Sequence, residues 1–564
     1  MQKLFKQKIT LGYFTRQAAC LLVALIGIGN TVAPATRAFA TGNVTTATTI
    51  NNSADNPSLL NAVPLRELYT QPNQMYLYSA YWPEVAAAQT TNGLKLSSQR
   101  PIGYVFAGST ADTTPLYRLQ QKATGNWLVT SSASEESALV NNGTFVLQGT
   151  IGNIYTSAQY GAQPLNRYTN GKGWRLAYQS QNSAMQSAGY TLDGLVGYML
   201  PTYYQIGAYY FGAYDQNTNA DLLQAVQNVY GRYPDAWGGV RDFHGDPSSP
   251  WGAVAQNTQG WSGDYSYLKP SQGYYDDSKV STLQTQIDQA ANAGLSYFAF
   301  YSYWNNATGT IQYDQAINSF MAASNSSRMK FMVTPCLASN APSQHLSVLT
   351  SQFQAAATAF ASYTSQPNYL TTQDGRPIIF LCDVRGIGSG SATDVNNFVS
   401  LLQQAVQAKT GQNPYILEHS EYGLPTASQY TGDGYTCLNM YGYVSADSYS
   451  NYVSNMGSYF STFDNSGKPM MRCAMSGFNE APRTNLSRTK DQVMYFKDNT
   501  KNQFPAAMAA TLKNMKAQPA SPIDNYMTIY AWNEWHEGGI IEPNVRDGNY
   551  YLQNIQNTFG LPSH

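Results

Sequence analysis

The sequence predicts an α/β protein, a (β/α)8 barrel preceded by a smaller, mostly-β domain built from a pseudo-threefold repeat. Three observations carry that expectation. A glycine-centred motif recurs three times before residue 201, eight apolar strand-like runs follow residue 205, and helical periodicity fills several of the spacers between those runs. At 564 residues the chain is too long for one ordinary core, so more than one domain is expected.

The chain opens with a basic leader, an apolar run from about Ala18 to Ile28, and an Ala38-Phe39-Ala40 ending. That order of parts is a secretory signal over 1–40, with small residues placed for cleavage. The apolar run is short for a membrane span, and no later stretch approaches the roughly 20 apolar residues that a span needs. A secreted, extracellular protein without a membrane span is the expectation. Residues 41–73 are rich in Thr, Asn and Ser and lack periodicity, so they read as a flexible leader. Net charge is -1, which gives no basic footprint for nucleic acid. The 44 tyrosines and 9 tryptophans are the unusual figures; flat rings with polar tips suit surfaces that stack on sugars. Cys336, Cys382, Cys437 and Cys473 each lie in an apolar run without a CxxC, which fits buried small hydrophobes or disulfides.

Residues 74–201 hold the repeat. "PIGYVF" (101–106), "TIGNIY" (150–155) and "LVGYML" (195–200) recur, and "PLYRL" (115–119) returns as "PLNRY" (164–168). Each unit reads as short strands, a brief helix, a Gly turn and another strand. From 205 to 564 the texture changes. Strand-like runs occur at 206–215, 295–304, 330–338, 377–384, 414–422, 434–443, 469–478 and 526–535, with helical spacers such as 280–294 and 347–365. Eight buried strands alternating with helices suggest a barrel whose chemistry sits where strands end.

The last run ends in "IYAWNEWHEGGIIEP" (529–543), which gathers Glu534, His536, Glu537 and Glu542 in a chain only 12% charged. If the chain turns helically there, Glu534 and Glu537 project together with Cβ atoms about 5–6 Å apart. That spacing fits a retaining glycosidase pair, whose carboxyls are about 5–5.5 Å apart. Close like charges also drive two pKa values apart, giving an acid and a base at one pH. The competing reading is an ordinary acidic turn. A zinc site is disfavoured because "HEGGI" lacks the second His of HExxH, and no GxSxG elbow is present.

The segment "AWNEWHEGGIIEPNVRDGNYYLQNIQ" resembles the closing segment of glycoside hydrolase family 99 and its WbsX-like relatives. "GYYDDSKVSTLQTQIDQAANAGLSYFAFYSYWN" (273–305), "YLTTQDGRPIIFLCD" (369–383) and "SGFNEAPRTN" (476–485) resemble earlier family blocks in the same order. The resemblance implies a retaining, endo-acting glycosidase of α-linked, mannose-type polysaccharide that works through a 1,2-anhydro sugar, with no metal or organic cofactor. It implies that Glu534 deprotonates the substrate's 2-OH and that Glu537 protonates the leaving oxygen and later activates water. Asn533 and His536 are the implied sugar contacts, and Glu542 is a structural brace. Tyr210, Tyr214, Tyr303, Trp304 and Tyr441 are candidate stacking platforms or core residues, with Trp535 and His419 as further sugar-facing candidates. The repeat resembles modules of bacterial secreted enzymes that look like β-trefoil lectins, which implies a glycan or cell-wall contact; a structural cap is the alternative. A non-catalytic glycan-binding protein on the same scaffold is the rival to the enzyme reading, and glycan transfer is a third.

Overall fold

In the computed structural model the described residues are 62–71, 75–159, 161–214, 236–237, 240–241, 265–337, 347–419, 432–437, 448–479, 482, 495–496, 500–561 and 563. They belong to one compact unit, Thr46–His564, with a mixed α/β fold whose N-terminal part is mostly β. Residues 1–40, read from the sequence as a secretory signal, lie outside the described residues.

The N-terminal part contains β1 (Ala62–Tyr69), β2 (Tyr76–Ser79), α1 (Trp82–Thr90), β3 (Lys95–Leu96) and β4 (Gly103–Phe106). It continues with β5 (Thr113–Gln121), β6 (Trp127–Thr130), α2 (Ala133–Asn141) and β7 (Phe145–Tyr155), then β8 (Gln163–Thr169), β9 (Trp174–Tyr178), α3 (Asn182–Ser187) and β10 (Thr191–Met199). β1 corrects one expectation: the stretch read as a flexible leader already carries a paired strand. Its Arg66 and Glu67 are buried because both are partnered. Arg66 donates to the carbonyls of Gln99 (3.0 Å) and Gln373 (3.1 Å), and Glu67 receives Tyr78 (2.6 Å) and Arg175 (2.8 Å).

A hairpin, a helix and a returning strand follow one another three times. β1 pairs with β2 and β4, β5 with β6 and β7, and β8 with β9 and β10, all antiparallel. The returning strands β4, β7 and β10 meet pairwise, at Phe106↔Asn153, Tyr198↔Tyr155 and Tyr104↔Leu200. That convergence explains the recurring glycine. A Cβ on Gly103 would sit 2.5 Å from Met199 Cε, one on Gly152 2.5 Å from Val105 Cγ2, and one on Gly197 3.0 Å from the Tyr155 carbonyl. Each glycine therefore lets one returning strand touch the next. Ion pairs tie the segments in the same sense. Arg118 of β5 holds Glu84 of α1 (2.6 Å), and Arg167 of β8 holds Glu135 of α2 (2.7 Å). At the third corner the charges are exchanged, with Glu67 of β1 holding Arg175 of β9.

Each of the eight expected runs contains a strand: β11 (Gln205–Tyr210), β12 (Tyr297–Asn305), β14 (Lys330–Pro335), β15 (Ile378–Leu381), β16 (Tyr415–His419), β17 (Gly434–Thr436), β18 (Arg472–Met475) and β19 (Tyr526–Tyr530). Between the second and third lies a short hairpin strand, β13 (Thr310–Gln312), which pairs back on β12. β11 pairs in parallel with β12 and with β19, β12 with β14, and β18 with β19. β15, β16 and β17 form a second parallel sheet. Single parallel bridges join the two sheets at Cys336↔Asp383 and Tyr435↔Met470. Near-continuous apolar strands suit parallel sheets covered on both faces. The cover comes from helices such as α4 (Val280–Asn292), which buries Leu283, Ile287, Ala290 and Ala291 along one stripe. The cysteines resolve as disulfides, Cys336–Cys382 and Cys437–Cys473, each linking neighbours in this strand order.

The two parts meet beneath the start of β19. Gly375 packs on Trp82, where a Cβ would lie 2.9 Å from the indole. Arg100 pairs with Asp524 at 2.9 Å, and Asn525 donates to Tyr104 at 3.0 Å.

The glycine argument predicts that Gly152→Ala costs at least about 2 kcal/mol, from overpacking against Val105 and an unfavourable φ of +133°. Gly143→Ala, at φ +78° with open space around it, should cost about 1 kcal/mol. Urea denaturation of the two variants checks the difference; equal losses would contradict the close-approach account.

Candidate active site

Beyond β19 the chain forms a tight hairpin, β20 (Asn533–Glu534) with β21 (Gly539–Ile540), in register Asn533↔Ile540 and Glu534↔Gly539. This corrects the helical turn expected from the i, i+3 spacing. The Glu537 N–H donates to the Glu534 carbonyl at 3.0 Å, so the two glutamates open and close one β-turn. Gly538 follows at φ +66°, which completes the reversal. Glu534 and Glu537 are both nearly buried, 9% and 8% exposed.

Buried hydrogen bonds fix the hairpin to β11. The Trp532 N–H donates to the Tyr209 carbonyl at 2.7 Å. The Asn533 side chain then pairs with both backbone groups of Phe211, accepting from its N–H (2.8 Å) and donating to its carbonyl (3.0 Å). Asn533 is fully buried, so its amide is a clamp and not the sugar contact the resemblance implied. Behind it stands Tyr275, whose phenol donates to Glu542 Oε2 (2.9 Å) and accepts from Asn533 Nδ2 (3.2 Å) and Trp535 Nε1 (3.1 Å). That uses a hydroxyl's one donor and two acceptor positions. Glu542 Oε1 accepts from Gln272 (2.7 Å) and Gln286 (3.0 Å), so the expected brace is one of several groups in a satisfied network.

The expected aromatic platforms separate into two groups. Tyr210, Tyr214, Trp304 and Trp535 are fully buried and spend their polar tips inside the protein. Tyr210 donates to Gln286 (2.7 Å), and Trp304 to Gln352 (3.0 Å). Tyr214 donates to the Asn533 carbonyl (3.0 Å) and stacks on Trp237 with centroids 4.2 Å apart. These four are packing residues, a correction to their reading as sugar surfaces. Tyr303, at the outer end of β12, is the half-buried exception. Burial raises its phenol pKa well above the ordinary value, and Glu534, Tyr313 and Glu537 push in the same direction, so Tyr303 stands in the field of both carboxylates. His536 stacks on Tyr214, and its Nε2–H donates to the Ala236 carbonyl at 2.6 Å. The His419 side chain and Tyr441 lie outside the described residues.

Sequence reasoning missed three neighbours of the pair. The Tyr530 phenol donates to Glu537 Oε2, and the Asn479 N–H donates to the Glu537 carbonyl at 2.5 Å. Tyr313 packs edge-on against Tyr303, centroids 5.3 Å apart, with a φ of +62° that is uncommon outside glycine. Tyr530 lies inside the 529–543 stretch and Asn479 inside "SGFNEAPRTN", but neither pattern marked them. A cavity of about 140 Å³ lined by Arg100, Tyr104, Lys516 and Asp524 lies at the opposite, N-terminal end of β19, away from this chemistry.

The fold thus defines a mixed α/β protein with a glutamate-bearing hairpin beyond the end of parallel strand β19. A family model described as "Glycosyltransferase WbsX" matches residues 241–555, more than half of the chain, and the chain belongs to that family. Residues 64–200 match a "Domain of unknown function (DUF5648)". No curated protein matches the chain. Among solved structures, a "glycoside hydrolase-like protein" is 15% identical with a TM-score of 0.41, over 63% of this chain and 94% of that one. A GH99 endo-alpha-mannosidase from Bacteroides thetaiotaomicron is 14% identical with a TM-score of 0.41, over 63% and 96%. These two likenesses are distant, and family membership rests on the matched residues 241–555.

Burial pushes the Glu542 carboxyl up to about 7, against the opposing pull of Gln286, Gln272, Tyr275 and Trp535. An unfolded glutamate titrates near about 4.3, so between those values the folded chain holds a proton the unfolded chain has lost. Stability from this group is full below about pH 4.3 and falls as pH rises toward 7, by at most about 1.4 kcal/mol per pH unit. Glu542→Gln should flatten that slope in denaturation series run from pH 4.5 to 7.5. A slope unchanged by the substitution would contradict the assignment.

Proposed function

We propose that this protein is a secreted, retaining glycoside hydrolase that cleaves internal α-linked, mannose-type bonds of a polysaccharide. The observation that supports the proposal is a single β-turn with Glu534 at its first position and Glu537 at its last, both acting on the Tyr303 phenol. On this reading the parallel strands form a (β/α)8 barrel, supported by β19 pairing back on β11 and by the two bridges between the sheets. The N-terminal segments form a threefold repeat that contacts glycan or cell wall. Export is supported by the secretory pattern of residues 1–40 and by two disulfides, which persist in oxidising compartments.

The chemistry needs only the chain's own carboxyls. Glu534 takes the proton from the sugar 2-OH, and O2 attacks C1 to close a three-membered ring. Glu537 gives its proton to the departing glycosidic oxygen as the C1–O bond breaks. Water then opens the ring at C1, losing a proton to Glu537, while Glu534 returns its proton to O2. Two inversions at C1 leave the configuration retained, and the pair ends as it began. The family's description favours one second reading, in which a sugar hydroxyl replaces water and the product is a transferred glycan.

The test is to incubate the protein with α-mannans and bacterial exopolysaccharides and follow products by mass spectrometry. Shorter chains with new reducing ends are expected, and Glu534→Gln and Glu537→Gln should each lower the rate at least about 100-fold. Elongated products would support transfer. Full activity in either variant would overturn the site assignment, and binding without turnover of any substrate would return the non-catalytic reading.

A further inference from the structure

We propose that Tyr530 is a positioning residue for Glu537, fixing which carboxyl oxygen transfers the proton. The inference rests on the role proposed above for Glu537 and adds a residue to which the sequence reading gave no role. Tyr530 is the last residue of β19 and is 1% exposed. Its carbonyl accepts from both the N–H (2.8 Å) and the hydroxyl (3.0 Å) of Ser476, so its backbone is anchored to the chain leaving β18. From that anchor its phenol reaches across the hairpin and donates to Glu537 Oε2.

The two glycines after Glu537 make that reach available, and they do so differently. Gly538 supplies the positive φ that closes the turn. Gly539 supplies room: a Cβ there would come 2.4 Å from the Tyr530 ring. The ring therefore packs closely against Gly539 of β21. With Asn479 holding the Glu537 carbonyl, the residue is gripped at both its main chain and its side chain.

The chemical consequence follows from donor and acceptor counting. A phenol donates one hydrogen bond, so Oε2 is the accepting oxygen and the acid proton of Glu537 resides on Oε1. When that proton leaves for the glycosidic oxygen, the phenol's bond to the new carboxylate strengthens, because it is now charge-assisted. Among the described residues, the titratable groups around Glu537 are Glu534 and His536 in its own turn, Tyr303 from β12, Tyr530 from β19, Tyr267 beside Gly538, and Tyr495, which bridges Asn479.

Tyr530→Phe keeps the ring that fills the space and removes only the donor. Two readouts are needed. The first is the 13C carboxyl resonance of Glu537, read by NMR on protein with 13C-labelled glutamate carboxyls and assigned with Glu537→Gln. Loss of the phenol donor should move that resonance in Tyr530→Phe while the other glutamate carboxyls stay in place. Gly539→Ala, which displaces the ring with its hydroxyl intact, should move it too. The second is the rate on an α-mannan that the native protein cleaves, with kcat down about 10-fold and KM changed less than about 3-fold. An unmoved Glu537 resonance in a folded Tyr530→Phe protein would overturn the inference, and so would an unchanged kcat. If Glu537→Gln retains activity, the hydrolase reading fails instead, and the NMR resonance still decides whether Tyr530 holds Glu537.

Discussion

The amide of Asn533 gives the carboxylate hairpin the kind of support that a backbone ladder gives a strand. It accepts from one backbone group of Phe211 and donates to the other, in a place where both are buried and would otherwise cost a lost hydrogen bond each. The hairpin is thereby continued from β11 as well as from β19, and its two glutamates inherit the rigidity of two parallel strands. Tyr275, Glu542, Gln272 and Gln286 complete the support from beneath. Side chains held on strands are more accurately placed than ones carried on a free loop.

A second consequence concerns the aromatic residues. This chain uses tyrosine as a structural connector at least as much as a surface. Tyr214 links the Asn533 carbonyl to the Trp535 N–H, Tyr275 serves three partners, and Tyr297 of β12 reaches past β11 to Thr528 of β19 at 2.7 Å. Each phenol fills volume like phenylalanine and satisfies a buried polar group as well. Tyr530 does the same beside Glu537.

Much of this arrangement could be read from residue patterns, for physical reasons. The parallel strands announce themselves as apolar runs because both faces are covered, and the repeated glycine announces the convergence of β4, β7 and β10 because no other residue fits there. The i, i+3 carboxylates were visible as a pair, but the turn type was misread. "HEGG" is a hairpin signal, with Gly538 needed for φ and Gly539 for space, and it outweighed the helical alternative. The strand β1 was hidden because Arg66 and Glu67 look like surface residues until their distant partners, Gln373 and Arg175, are known. For a similar reason Tyr210, Tyr214, Trp304 and Trp535 could not be sorted from Tyr303. Composition marks an aromatic residue, and only packing shows which side of it meets solvent.

The central claim is that one hairpin presents Glu534 and Glu537 to the same sugar. The most direct measurement is a crystal structure of the Glu537→Gln variant soaked with an α-mannan oligosaccharide. The account predicts a glycosidic oxygen within hydrogen-bond reach of residue 537 and the 2-OH of the adjoining sugar within reach of Glu534. A sugar bound with either contact missing, or seated only on the N-terminal segments, would contradict it.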